Sequence, residues 1–171
     1  MYYIALLCAS IIIIIAEGIL IKHTDIGVDE VFSYGLSNHS FVDTIEMKPQ
    51  DGYVYQKGIE PFVEYMAVQK DGRFQYANVW KNQSEDVHPP LYYTILHTIC
   101  SFFPMSISRW YAGSINIVFL LMTLIVSTNL IFHLTRDRKI SIIFSLFFAT
   151  SLFMLNTATF LRIYLSLIHI S

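Results

Sequence analysis

YYIALLCASIIIIIAEGILI, residues Tyr2 to Ile21, is a twenty-residue apolar run interrupted by one charge, Glu17. At 1.5 Å per residue, a helix of that length just crosses the ~30 Å hydrocarbon core of a bilayer. The five isoleucines from Ile11 to Ile15 would suit a strand in water. In lipid a lone strand leaves its backbone unsatisfied, whereas a helix closes its own hydrogen bonds. The run therefore predicts a transmembrane helix over residues 1–22, and with it an all-α polytopic membrane protein. No basic stretch precedes it and no small-x-small cleavage pattern follows, so it reads as an uncleaved span and not a secretory signal. Glu17 keeps two readings, a packing or hydrogen-bonding role inside a helix bundle and a site role.

The rest of the chain follows the same partition. Hydrophobic residues make up 54% and charged residues 14% of the sequence, against about 25% charged in soluble domains. Eleven of the 13 acidic residues fall between Lys22 and Pro90, which marks one large loop outside the membrane. The net charge of −2 averages that acidic loop with a short basic turn, and no basic patch supports nucleic-acid binding. Cys8 and Cys100 lie in apolar runs and read as small hydrophobes, not as a disulfide pair or metal ligands.

Residues 110–134 and 140–161 are long enough to span and contain no Asp, Glu, Lys or Arg. They flank Thr135-Arg136-Asp137-Arg138-Lys139, whose three basic residues place the 135–139 turn on the cytoplasmic side. Residues 91–104, bounded by Pro89-Pro90 and Pro104, reach only about 21 Å as a helix and are expected to lie at the interface or re-enter without crossing. The parity is then consistent. The first span exits, loop 23–109 lies outside, the second span returns to the basic turn, and the third delivers residues 162–171 to the outer face. Within the loop, Ile59, Phe62, Val63, Met66 and Ala67 give the apolar stripe of a juxtamembrane amphipathic helix over about 59–70. Val28, Phe32 and Leu36 give a shorter stripe, and Asp51-Gly52 and Asp71-Gly72 mark turns.

This layout gathers Asp29, Glu30, Asp86, His88, Arg109, Arg162 and Tyr164 on one face. Carboxylates can take a proton from a hydroxyl nucleophile or hold a divalent metal ion, and arginines can grip a phosphate through their forked donors. Such a set suits sugar transfer from a lipid phosphate. Each member also has a plainer reading. Asp29 and Glu30 complement the start of a helix, Arg109 anchors a span at the interface, and Asp86 pins its loop. His88 is an interfacial histidine, and Tyr92 and Tyr93 are belt aromatics.

Val28-Asp29-Glu30, then Asp86-Val87-His88-Pro89-Pro90-Leu91-Tyr92-Tyr93, then Arg109, then Leu161-Arg162-Ile163-Tyr164 resemble, in order and spacing, glycosyltransferase family 39. That family includes the protein O-mannosyltransferases and the aminoarabinose transferases of lipid A, within the GT-C fold class. The resemblance implies a polytopic enzyme that uses a polyprenyl-phosphate-linked sugar and an acceptor protein, glycan or lipid. It also implies a bacterial-type plasma membrane location with the active face outside, and inversion at the sugar. Asp29 matches the catalytic carboxylate and Glu30 supports it or the loop. Arg162 with Tyr164 matches the Arg-x-Tyr element facing the donor phosphate, where the family more often has Ala-Arg-Met-Tyr. His88 stands where the aminoarabinose enzymes have a lysine beside proline, so a phosphate contact there would depend on pH.

A second class of reading is a non-enzymatic membrane scaffold or transporter fragment whose outer loop binds a partner. Three spans are too few to enclose a donor-lipid cavity of the family kind. We therefore expect the sequence to be the N-terminal part of a longer enzyme, inactive alone, with 166–171 carrying no function. Asn38-His39-Ser40 and Asn82-Gln83-Ser84 match the glycosylation sequon, which matters only in a eukaryotic secretory compartment.

Overall fold

The computed structural model describes residues 2–23, 27–39, 60–85 and 89–159. Every regular element among them is an α-helix: α1 (Tyr2–His23), α2 (Val28–Asn38), α3 (Glu60–Met66), α4 (Tyr76–Ser84), α5 (Pro90–Phe102), α6 (Arg109–Thr135), α7 (Arg138–Thr150) and α8 (Leu152–Thr159). The chain divides into two compact units, Met1–Asp25 with Ala112–Ser171, and Ile26–Tyr111.

The first unit is built from α1, α7, α8 and most of α6. Helices α1 and α6 are long and apolar enough to cross a membrane. Only 22% of the apolar window of α1 is buried, where the core helix of a soluble protein would be covered. Ile4, Leu7, Ile11, Ile12, Ile14, Ile15 and Ile19 all face outward. An apolar exterior of that extent is what a bilayer covers and water does not. The buried stripe of α1 is Ala9, Ile13, Glu17 and Ile21, four residues apart, so Glu17 points into the bundle and away from its outer surface.

Small residues set the packing. Ser141, Ser145 and Ala149, with Phe148 beside them, form the buried face of α7, which packs on α1. Hydroxyls and methyls at i, i+4 and i+8 let two backbones approach closely, as spans in lipid do. Gly113 lies against Ile21, and a Cβ there would run into Ile21 Cδ1. Helix α6 runs antiparallel to α1, since Gly113 meets Ile21 at one end and the Tyr2 hydroxyl donates to Asn129 Oδ1 (2.8 Å) at the other.

The expected turn at 135–139 is tighter than its five residues. Arg136 takes the left-handed conformation (φ 57°) and its N–H closes on the Phe132 carbonyl. Asp137 then caps α7 by accepting from the Lys139 N–H at 2.7 Å.

The third apolar run departs from expectation. As far as residue 159 it forms two helices and not one, because Ser151 is extended (ψ 112°) and ends α7. The Thr150 hydroxyl bonds the Leu146 and Phe147 carbonyls, and α8 restarts with the Leu155 N–H on the Ser151 carbonyl. A threonine hydroxyl bonded back to the carbonyls of its own turn is a feature that bends helices.

The second unit packs α2 against α3, α4 and α5. The short helix expected over 91–104 is α5, thirteen residues opened by Pro90 and closed at Phe103. The expected helix over 59–70 is shorter, ending at Met66, and Asp71-Gly72 does sit in a turn, with the Gly72 N–H on the Gln69 carbonyl. Helix α4 was not foreseen, since its polar residues hide its period. The face that α2 buries is also not its apolar stripe: Glu30, Ser33, Tyr34 and Ser37 are inside while Phe32 is half exposed.

Candidate functional site

Helix α2 opens on Gly27, in an extended conformation with no side-chain cap. Asp29 and Glu30 occupy its first turn, where negative charge complements the helix dipole. The two acids then diverge. Asp29 is exposed, and Glu30 is buried. The reason is Arg109, the first residue of α6, which returns to α2 from 79 residues away. Its Nη2 donates to Glu30 Oε1 at 2.9 Å and its Nε to Oε2 at 3.3 Å, with the two side chains only 12% and 8% exposed. A forked, largely desolvated pair of this kind fixes position as well as charge.

Around that pair the unit is polar inside. The Tyr34 hydroxyl donates to the Ser108 carbonyl at 2.6 Å, beside Arg109. Tyr92 and Tyr93 are both buried in α5, not displayed as belt aromatics. Burial, followed by the proximity of Tyr34, Tyr93 and Glu30, pushes the Tyr92 phenol well above its ordinary range. Its hydroxyl has no partner among the described residues.

One turn further along α5, His97 Nδ1 meets Asn38 Oδ1 at 3.2 Å, and the Asn38 amide donates to the Met66 carbonyl at 2.6 Å. Burial holds the His97 imidazole below its usual range, outweighing a hydrogen bond to the Ser37 backbone that acts the other way. Asn82 donates to the Leu36 and His39 carbonyls at 2.9 and 2.6 Å. Both sequon asparagines, Asn38 and Asn82, therefore spend their amide groups inside the fold.

Of the seven site residues read from the sequence, the structure brings Glu30 and Arg109 together and places Asp29 next to them. Asp86, His88, Arg162 and Tyr164 lie outside the described residues. Among the described residues no three His, Cys, Asp or Glu side chains converge to hold a metal ion. No family model, characterised protein or solved structure matches the chain.

Sequence reasoning missed the polar interior formed by His97, Asn38, Asn82 and Tyr92. The signal was present only as polar residues at helical spacing on otherwise apolar elements, which a hydropathy reading counts as exceptions. It also missed an open depression lined by Asn38, His39, Gln69, Asp71, Gln75 and Asn78, whose residues are scattered along the chain.

Proposed function

We propose that the chain is the N-terminal part of a membrane glycosyltransferase of the family 39 type. In this reading it transfers a sugar from a polyprenyl-phosphate donor to an acceptor at the outer membrane face. The observation that carries the reading is the separation of the two adjacent acids. Glu30 is locked to Arg109, which fixes the first turn of α2, and Asp29 is held exposed on that turn, six residues past the end of α1 in sequence. A carboxylate on a rigid turn, close in sequence to a span, suits a substrate that arrives in lipid.

Asp29 takes the proton of the acceptor nucleophile, whose oxygen forms the new bond to the anomeric carbon. The bond from that carbon to the donor phosphate oxygen breaks, and its electron pair leaves with the lipid phosphate. Arg162 and His88 are assigned to the departing phosphate on the resemblance alone. Glu30 and Arg109 act as positioning residues. The third crossing is made by α7 and α8 together, bent at Ser151, and the GT-C architecture would be completed by further spans.

The test is Asp29→Asn in the complete enzyme, assayed for transfer from a polyprenyl-phosphate sugar. Loss of a general base costs about 10²- to 10⁴-fold, and near-normal transfer would sink the assignment. Buried Glu17 favours a second reading, a transporter fragment, because ionisable groups inside spans mark transport pathways. Glu17→Gln separates the two: it should leave glycosyl transfer standing if Asp29 carries the chemistry.

A further inference from the structure

At the end of the first unit that carries the basic turn, α1, α6 and α7 form a surface pocket of about 190 Å³, lined by Tyr2, Tyr3, Asn129, Phe132 and Arg138. We infer that this pocket binds the phosphate headgroup of an anionic membrane lipid. The inference uses the bilayer reading of the first unit and does not depend on glycosyl transfer.

The lining is built to donate. Asn129 receives the Tyr2 hydroxyl on Oδ1, which leaves its amide N–H groups for an incoming acceptor. Arg138 forms no ion pair among the described residues. The carboxylate nearest in sequence, Asp137, is engaged as the cap of α7 by the Lys139 N–H. A guanidinium, an amide and a phenol around one opening match the acceptor oxygens of a phosphate diester, and no carboxylate lines the pocket to oppose them.

The location is also that of a headgroup. The pocket sits at one end of α1 and α6, beside the outward-facing apolar side chains of Ile4, Leu130 and Leu134, the boundary at which a headgroup meets the acyl chains. Tyr2, Tyr3 and Phe132 form one aromatic wall, with ring centroids 5.3 Å apart for the two tyrosines and 5.8 Å for Tyr2 and Phe132. Aromatic rings of this kind occupy the boundary between hydrocarbon and water. Basic pockets between spans on the side of the positive loops are recognised sites for anionic headgroups. Arg136 and Lys139 raise the local potential, but neither lines the cavity.

The test is native mass spectrometry of the full chain in a neutral maltoside detergent, with phosphatidylglycerol, phosphatidylcholine or inorganic phosphate added. The expected result is a retained phosphatidylglycerol adduct at about tenfold lower concentration than phosphatidylcholine, the ratio a charge-assisted hydrogen bond supplies. Arg138→Gln should abolish that preference. Lys139→Gln removes the same charge one residue away and should leave it intact. Arg138 is exposed, so its replacement does not threaten folding. Equal retention of the two lipids would overturn the proposal, and so would equal losses in the two variants, which would mean diffuse attraction. Displacement of the lipid by an equimolar concentration of inorganic phosphate would overturn the lipid assignment in favour of a free anion.

Discussion

The carboxylate of Glu30 and the guanidinium of Arg109 meet through two hydrogen bonds, at 2.9 and 3.3 Å, across 79 residues of chain. The pair ties the first turn of α2 to the first turn of α6, so it closes the second unit from both ends of its sequence. Removing one partner of a buried pair leaves the other charge unanswered, at a cost of about 3–5 kcal/mol. Glu30→Gln and Arg109→Met should each lower the thermal midpoint markedly, measured by circular dichroism in detergent. The exchange Glu30→Arg with Arg109→Glu should recover part of that loss. Equal stability of wild type and Glu30→Gln would show that the pair contributes little.

Asp29 should behave in the opposite way. It is exposed at the start of a helix, where its interaction with the dipole is worth about 0.3–1 kcal/mol. Asp29→Asn is therefore expected to move the thermal midpoint slightly while removing transfer activity in the complete enzyme. A large loss of stability with activity retained in the surviving folded fraction would reverse the roles assigned to the two acids.

Gly35 supports the ring of Tyr65, which lies where a Cβ would stand. Gly35→Ala should destabilise the second unit by about 1–3 kcal/mol, the usual cost of overpacking. Combined with Tyr65→Ala, which vacates the space, the two changes should cost less than the sum of the single ones. Additivity in denaturant titrations would mean that the two positions do not press on each other.

His97 predicts a pH dependence. Its folded pKa is lowered by burial, so below the unfolded value of about 6.5 the unfolded chain binds a proton that the folded chain resists. Stability contributed by the neutral ring is complete above that value and declines as pH falls below it, until the folded pKa is reached. Unfolding midpoints should therefore drop between pH 7 and pH 5, and His97→Gln should flatten that slope. An unchanged slope in the variant would place the dependence elsewhere.

Burial pushes the Cys100 thiol up to about 11, which suppresses the thiolate that reacts with alkylating agents. N-ethylmaleimide at pH 8 should leave Cys100 unmodified in the folded protein and label it after denaturation, read by peptide mass spectrometry. Labelling of the folded protein at the rate of a free thiol would contradict the buried position.

Much of the fold could be read from hydropathy, because lipid enforces a simple rule on segment length. Residues 1–22 and 110–134 were expected as spans and appear as the long apolar helices α1 and α6, each within about one residue, and the short helix expected over 91–104 appears as α5. The break at Ser151 escaped because hydropathy registers neither the extended backbone of that residue nor the Thr150 hydroxyl bonded to the preceding turn. Helix α4 escaped for a related reason. It buries the polar Asn82 and Gln83 beside Val79, so its pattern has no apolar period to detect. In the candidate site, Asp29, Glu30 and Arg109 were singled out as residues, but their partition into one exposed acid and one locked pair depends on a return of the chain from 79 residues away. No local pattern encodes that.

The placement of Asn82 bears on the order of events during biosynthesis. Its amide nitrogen donates to two carbonyls of α2 and its last turn, and the residue is 1% exposed. An oligosaccharide can be attached there only before α4 docks on α2. In a host that glycosylates secreted chains, occupancy at Asn82 therefore becomes a clock: each modified molecule records that the transferase reached the nascent chain before the fold closed over it.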